Sequence, residues 1–225
     1  MISQTYRVHS EIKIHAVVFD LGGVLLDWNP RHLYRKLFAD ERGMDHFLDQ
    51  ICTLQWHDAH DRGVAVERSC ARMAELHPEH AELVWAWGRR SEEMIGGPIE
   101  GTVEILRELK ARRVSCYALT NMEAETFPRR RARYEFLTWF DGTVVSAFEG
   151  VAKPDLEIFR RLLGRFGLRP ETTLFIDDSQ RNVDAAARLG IHALRFESSE
   201  QLRRYLGSLG LVDGDSGPGS SSSAA

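Results

Sequence analysis

Apolar positions along this chain follow two rhythms. Near the start, His15-Ala16-Val17-Val18-Phe19-Asp20 drives an unbroken apolar run into a carboxylate. A run without alternation over so few residues predicts a strand buried on both faces. From Trp28 to about Gly97 the spacing changes. Leu33, Leu37, Phe47, Leu48, Ile51, Leu54, Met73, Leu76, Leu83, Val84 and Trp87 fall in groups with spacings near three and four, with almost no strand signal. That is the stripe of amphipathic helices. Gly96-Gly97 and Pro98 then punctuate the chain.

Beyond Pro98, helical and strand patterns alternate. A helix is predicted over roughly Gly101 to Arg112, then a buried strand at VSCYALT. Met122 to Tyr134 reads as helical, with Pro128 expected to kink or interrupt it. GTVVSA is a further strand, and Pro154 opens a helix through LEIFRRLLGRF. TTLFIDD is another apolar run ending in acid, followed by a helix to Gly190, the strand HALRF and a last helix. Such alternation predicts an α/β fold with a Rossmann-like parallel sheet and a helical domain inserted after the first strand. The expected core is 1–27 with 98–206, and the expected helical insertion is 28–97. Residues 207–225, ending GDSGPGSSSSAA, read as a disordered tail.

Composition narrows the class. A chain of 225 residues suffices for one sizeable core with a smaller insertion, and 43% hydrophobic with 28% charged residues is ordinary for a globular protein. A formal charge of -4 gives no reason to expect nucleic acid or an anionic membrane as partner. Cys52, Cys70 and Cys116 are odd in number and form no CxxC, so they are expected as small reduced core residues. The N-terminal MISQTYRVHSEIKI lacks a signal-peptide core, and no apolar run approaches a membrane span. The expectation is a soluble, cytoplasmic protein.

The carboxylates carry the chemistry. In open α/β sheets, ligands bind beyond the carboxyl ends of the strands. Asp20 closes the first strand, Thr120-Asn121 the second and Asp177-Asp178 a later one, so all three should meet at one sheet edge. Lys153, one of few lysines here, precedes Pro154 in a loop that can face the same edge. Acids in such a crevice can hold a hard cation such as Mg²⁺, and an amine with a hydroxyl can neutralise phosphoryl oxygens. One aspartate is then free to act as nucleophile.

These stretches resemble the haloacid dehalogenase superfamily. VVFDLGGVL is similar to its first motif, ALTN to its second, AKPD to its third and LFIDDS to its fourth, all in order. The helical insertion matches the position of that family's cap. The resemblance implies Asp20 as nucleophile and metal ligand, with the Gly22 carbonyl as a second metal contact. It implies Thr120 and Asn121 as binders of the transferred group, and Lys153 as the cation steadying Asp20 and the phosphoryl charge. Asp177 and Asp178 complete the metal site. Gly22 and Gly23 are expected to allow unusual backbone angles and close approach of backbone N–H groups to the phosphoryl oxygens.

The implied activity is a Mg²⁺-dependent phosphatase acting on a small phosphorylated metabolite through an aspartyl-phosphate. Most such phosphatases carry a second aspartate two residues after the nucleophile, as general acid; here Gly22 stands there. Members resembling sugar-1-phosphate phosphatases share this DLG pattern. The first alternative is a 2-haloacid dehalogenase, which uses the aspartate without metal; the retained Asp177-Asp178 pair argues for a cation. The second is a binding or regulatory module, against which Asp20, Lys153 and Asp178 argue.

The remaining polar groups take plainer readings. His57 and Asp61, one helical turn apart, have the spacing of a metal pair but are expected on a solvated helix face. His77 and His80 flank Pro78 at an inter-helix turn, and Arg129-Arg130-Arg131 with Arg133 are expected to face solvent. Asp27 is a candidate to protonate the leaving group in place of an acid at position 22, but is expected instead to cap the segment starting at Asn29-Pro30. Trp28 either lines the substrate pocket or packs in the core.

Overall fold

Four residues that are all buried, Ala16–Phe19, form β1 at the centre of a parallel sheet. In this computed structural model residues 13–213 are described. The stretch 1–12 and the tail residues 214–225 lie outside them, and with them much of what was read from both ends. Strands β4 (Ser115–Thr120) and β6 (Thr173–Asp177) flank β1, with Phe19 opposite Ala118 on one side and Ile176 on the other. β5 (Gly142–Val145) and β7 (His192–Arg195) lie outside them, giving the order β5-β4-β1-β6-β7. Asp20 N donates to Ile176 O at 2.9 Å and carries the ladder one residue past β1. That bond brings Asp20 level with Asp177, because parallel register aligns strand ends.

Alternate side chains serve opposite faces. Val17 and Phe19 join a core covered by α6 (Glu100–Ala111) and α11 (Ser199–Ser208). Val18 joins the other, under α9 (Leu156–Phe166) and α10 (Gln180–Ala187). Such two-sided cover explains why the central strands are apolar throughout. α9 starts on Asp155, which accepts from Glu157 N at 2.9 Å, and ends at Gly167 with φ +63°. A cap and a left-handed glycine fix both ends of the helix that follows Lys153.

A helical layer fills the span between β2 (Leu26–Trp28) and β3 (Ile95–Pro98): α1 (Arg31–Tyr34), α2 (Glu41–Gln50), α3 (Leu54–Asp61), α4 (Val66–Leu76) and α5 (Ala81–Arg89). It has its own core, with Tyr34, Met44, Phe47 and Trp87 buried together. β2 and β3 pair antiparallel where the chain leaves the sheet and returns, a pair that sequence pattern did not reveal. Trp28 packs against both the sheet core and the helical core.

Three expectations change in the structure. α7 (Thr126–Arg133) begins four residues later than Met122, and Pro128 sits in its first turn. The N–H that proline lacks has no intrahelical partner there, so the helix runs on unbroken. Residues 207–213 belong to the fold rather than to a disordered tail: α11 reaches Ser208, Leu211 N donates to Leu206 O at 3.0 Å, and Val212 is buried. Asp27 caps nothing. It is exposed and pairs with His32 at 2.9 Å, while Asn29 Oδ1 accepts from Arg31 N. The short helix α8 (Ser146–Glu149) follows β5.

All three cysteines are free and buried, and burial pushes the Cys116 thiol up to about 12 and Cys70 to about 11. Thiols held protonated in this way are inert packing groups. Among the described residues no helix is long and apolar enough to cross a membrane.

Candidate active site

The carboxyl ends of β1, β4 and β6 open into a cavity of about 190 Å³ roofed by α3. Asp20, Gly22, Gly23, Asn121 and Asp178 line it from the strand ends, together with Trp28 and with Leu54, His57, Asp58 and Asp61 of α3. Arg130 and Arg181 reach it from the flanks. Oxygens of Asp20, Asp177 and Asp178 lie within 4.8 Å of one another.

Lys153 lies beneath them, its ammonium fully buried. Nζ donates to Asp177 Oδ2 at 2.7 Å and pairs with Asp20 Oδ2 at 2.9 Å. Asp20 Oδ1 accepts from Leu21 N at 2.6 Å, so both oxygens of Asp20 are oriented. Asp177 is the more encased partner. Its oxygens also accept from Ser179 N and from Asn182 Nδ2, at 2.9 Å each for Oδ1. Asp178 is exposed and enters no ion pair among the described residues, leaving its oxygens available to the cavity. Burial pushes the Asp20 carboxyl well above the ordinary range. Lys153 opposes that rise, and the charges of Asp177 and Asp178 add to it. Asp178 is raised by burial and then by Asp177. Lys153 is raised: Asp177 and Asp20 hold its proton against the opposing effect of burial. Three carboxyls against one ammonium leave an excess of negative charge that a cation would relieve.

The loops are fixed by a small number of polar contacts. Asn121 and Lys153 bond reciprocally, Asn121 Nδ2 to Lys153 O at 3.0 Å and Lys153 N to Asn121 Oδ1 at 2.9 Å. Ser146 Oγ accepts from Met122 N at 3.0 Å and steadies the same loop. Thr120 is buried at the end of β4 and does not line the cavity; its hydroxyl lies 3.5 Å from Asn121 O. The two glycines differ. Gly23 has φ +73°, and a Cβ there would meet Asp178 Oδ2 at 2.4 Å. Gly22 is not left-handed, and a Cβ on it would lie 3.7 Å from the nearest atom, Trp28 Cβ. Only Gly23 therefore requires glycine for its backbone.

α3 overturns the solvated reading of His57 and Asp61. Their side chains are 13% and 8% exposed, and they face each other across 3.7 Å from His57 Nε2 to Asp61 Oδ1. The His57 ring stacks on Trp28, with centroids 5.2 Å apart and planes 18° apart. Trp28 thus both packs in the core and lines the cavity. His57 Nδ1 faces His60 Nδ1 at 3.3 Å and Glu123 Oε1 at 3.8 Å. Arg130 also turns inward, with Nε 3.5 Å from Glu92, while Arg129, Arg131 and Arg133 stay exposed. His77 and His80 stand beside Glu79 at the turn, outside the cavity. Asn182, Glu123 and Arg181 went unnoticed in the sequence. Arg181 reaches from α10 to Asp58 of α3 at 3.6 Å and ties the helical layer to the sheet.

A parallel α/β sheet whose strand ends gather three acids and a buried lysine defines a class of hydrolases, and comparison with known proteins agrees. The haloacid dehalogenase-like hydrolase family matches residues 14–190, and the chain belongs to that family. It is 30% identical over 198 residues to the sesquiterpene phosphatase astK of Aspergillus oryzae, covering 85% of this chain and 96% of that protein. Its fold is similar to the enzyme bt-2542 of Bacteroides thetaiotaomicron, solved with magnesium and inorganic phosphate. There the TM-score is 0.63 and the identity 21%, over 82% of this chain and 95% of that one. A comparable likeness of fold links it to L-2-haloacid dehalogenase from Xanthobacter autotrophicus, with TM-score 0.59 and identity 20%, over 87% and 83%.

Proposed function

We propose that this hydrolase is a Mg²⁺-dependent phosphatase of small phosphomonoesters, sugar phosphates among them, working through an aspartyl-phosphate on Asp20. The observation that carries the reading is the acid cluster itself. Asp20 and Asp178 offer carboxylate oxygens to one point of the cavity while Asp177 is occupied with Lys153, Ser179 and Asn182. A donor set of carboxylates with excess negative charge, in which Asp178 enters no ion pair among the described residues and each Asp20 oxygen has one protein donor and a lone pair to spare, fits a hard divalent cation. Asp20, Asp178 and the Gly22 carbonyl would hold it, with Asp177 as buttress from behind. Mg²⁺ bound there supplies positive charge to the phosphoryl oxygens and favours the ionised form of Asp20.

The chain's own groups account for the rest. An Asp20 oxygen attacks phosphorus, the bond from phosphorus to the leaving oxygen breaks, and water later cleaves the phosphoryl group from Asp20. Lys153, held between Asp177 and Asp20, keeps its charge beside the nucleophile and the phosphoryl oxygens. Gly23 lets the backbone approach closely, and Asn121 lines the phosphoryl pocket above the buried Thr120. A cavity of about 190 Å³ suits a phosphoryl group on a short organic stem.

The similarity to a named phosphatase over 96% of its length supports the reading. The dehalogenase alternative needs no cation, and so gives the free Asp178 carboxylate nothing to do. Phosphate release from 4-nitrophenyl phosphate and a panel of phosphorylated metabolites, with Mg²⁺ and with chelator, tests the proposal beside halide release from 2-haloacids. Turnover of phosphomonoesters that chelator abolishes is expected. Halide release in chelator, with no phosphate release in Mg²⁺, overturns it.

A further inference from the structure

An alkoxide is a poor leaving group, so cleavage of an alkyl phosphate needs a proton donor at the leaving oxygen. Resting on the phosphatase reading, the question is which group can serve. Position 22 offers no side chain. Asp20 is the nucleophile and Asp178 faces the cation position. Asp58 is paired with Arg181. The His57 ring lies flat on Trp28, with Nδ1 facing His60 and Glu123 and Nε2 3.7 Å from Asp61 Oδ1, beyond hydrogen-bond reach, which places it to orient Asp61 rather than to meet substrate. Asp61 remains. Asp61 lines the same cavity as Asp20, and among the described residues its buried Oδ1 has no hydrogen-bond partner.

We propose that Asp61 of α3, positioned by His57, donates the proton to the leaving oxygen and afterwards accepts one from the hydrolytic water. In the first step the Asp20–phosphorus bond forms, the phosphorus–leaving oxygen bond breaks, and the Asp61 proton passes to that oxygen. In the second, the Asp61 carboxylate takes a proton from water as its oxygen bonds phosphorus, the Asp20–phosphorus bond breaks, and Asp61 is again a carboxylic acid. The products are an alcohol and inorganic phosphate.

The surroundings suit the role. Burial pushes Asp61 up to about 6, with His57 lowering it, Glu123 and Asp58 raising it and the Lys153 ammonium lowering it. His60, on the same helix, is pushed down to about 4 and stays neutral, so it brings no compensating charge. Glu123, lowered by His57 and Arg130 against burial, keeps its negative charge. Arg130 faces Glu92 and stands at the far flank of the cavity. A carboxyl that titrates near neutrality can both give and take a proton.

The test is a leaving-group series, from 4-nitrophenyl phosphate through phenyl phosphate to glycerol 2-phosphate, in Mg²⁺. In Asp61→Asn the glycerol phosphate rate should fall about 10²–10⁴-fold, the usual contribution of a positioned general acid. The first turnover of 4-nitrophenyl phosphate should survive as a burst, followed by slow release of phosphate. Gly22→Asp added to Asp61→Asn should restore part of the alkyl rate, because a Cβ at position 22 has room. A merely structural Asp61 would gain nothing from that second substitution. His57→Gln, which keeps Asp61, should move the alkaline limb of the rate profile to higher pH by removing a group that lowers Asp61. An equal fall across the series, or none, in folded Asp61→Asn overturns the proposal while wild-type turnover keeps the phosphatase reading. Absence of wild-type turnover on every ester overturns the reading itself.

Discussion

Gly22 and Gly23 are neighbours in sequence, and the structure predicts opposite outcomes for the same substitution. Gly23→Ala puts a Cβ on a residue at φ +73°. The left-handed conformation costs a non-glycine residue about 1–2 kcal/mol. The new atom would also lie 2.4 Å from Asp178 Oδ2 and 2.7 Å from its Cγ. Asp178 is an exposed side chain that can rotate away, so this clash should appear as displacement of the proposed cation ligand rather than as further loss of stability. For a chain of this size each kcal/mol moves Tm by about 2–4 °C, which gives a drop of about 2–8 °C. Gly22→Ala meets only Trp28 Cβ at 3.7 Å and needs no left-handed angle, so its Tm should hold or rise slightly. Thermal unfolding by circular dichroism measures the first effect, and calorimetric titration with Mg²⁺ the second. Gly23→Ala should lower Tm and weaken Mg²⁺ binding, and Gly22→Ala should do neither. Equal behaviour of the two variants would refute the assignment of the close approach to Gly23.

Lys153→Met removes the ammonium that sits between Asp20 and Asp177, and stranding buried carboxylates in this way costs about 3–5 kcal/mol. Denaturant unfolding at neutral pH should show that loss, and wild-type stability in the variant would contradict the buried triad. His60 is neutral in the fold, with its value pushed from 6.5 to about 4 by burial and by His57. The unfolded chain therefore binds the proton first, and stability is lost as pH falls from about 6.5 toward 4. Linkage at ~1.4 kcal/mol per pH unit puts the loss at up to ~3 kcal/mol. His60→Leu should flatten that acid slope in thermal unfolding across this range, and an unchanged slope would place the sensitive group elsewhere.

Much of the sheet was legible because its central strands bury both faces. VVFD and TLFID are apolar up to a terminal acid, and those acids, Asp20 and Asp177, stand at the strand ends beside the cavity. β2 and β3 escaped notice because Leu26-Asp27-Trp28 and Ile95-Gly96-Gly97-Pro98 carry neither alternation nor a β-branched run. Their pairing depends on where the helical layer leaves and returns, a long-range fact. The inward position of His57 and Asp61 is hidden in the sequence for a related reason. A polar stripe on a helix reads as a solvent face, and α3 turns that stripe onto the acidic end of the sheet. Arg130 differs from Arg129 and Arg131 only in its angle around α7, which an all-arginine run cannot signal. Asn182 lies in the first turn of α10, and its contact with Asp177 depends on where that helix sits against the strand end. Residues 207–213 read as tail because Gly207 and Gly210 obscure the apolar contacts of Leu211 and Val212.

The central claim is that Asp20 takes a phosphoryl group and that water then attacks phosphorus. A single turnover in heavy-oxygen water, with enzyme in excess over 4-nitrophenyl phosphate and Mg²⁺ present, tests it most directly. The account predicts the heavy oxygen in inorganic phosphate, with none in the Asp20 peptide by mass spectrometry. Heavy oxygen in the Asp20 carboxylate after a turnover would mean that water attacked the carboxyl carbon of an ester intermediate, as displacement at carbon requires. That result would contradict the phosphatase account.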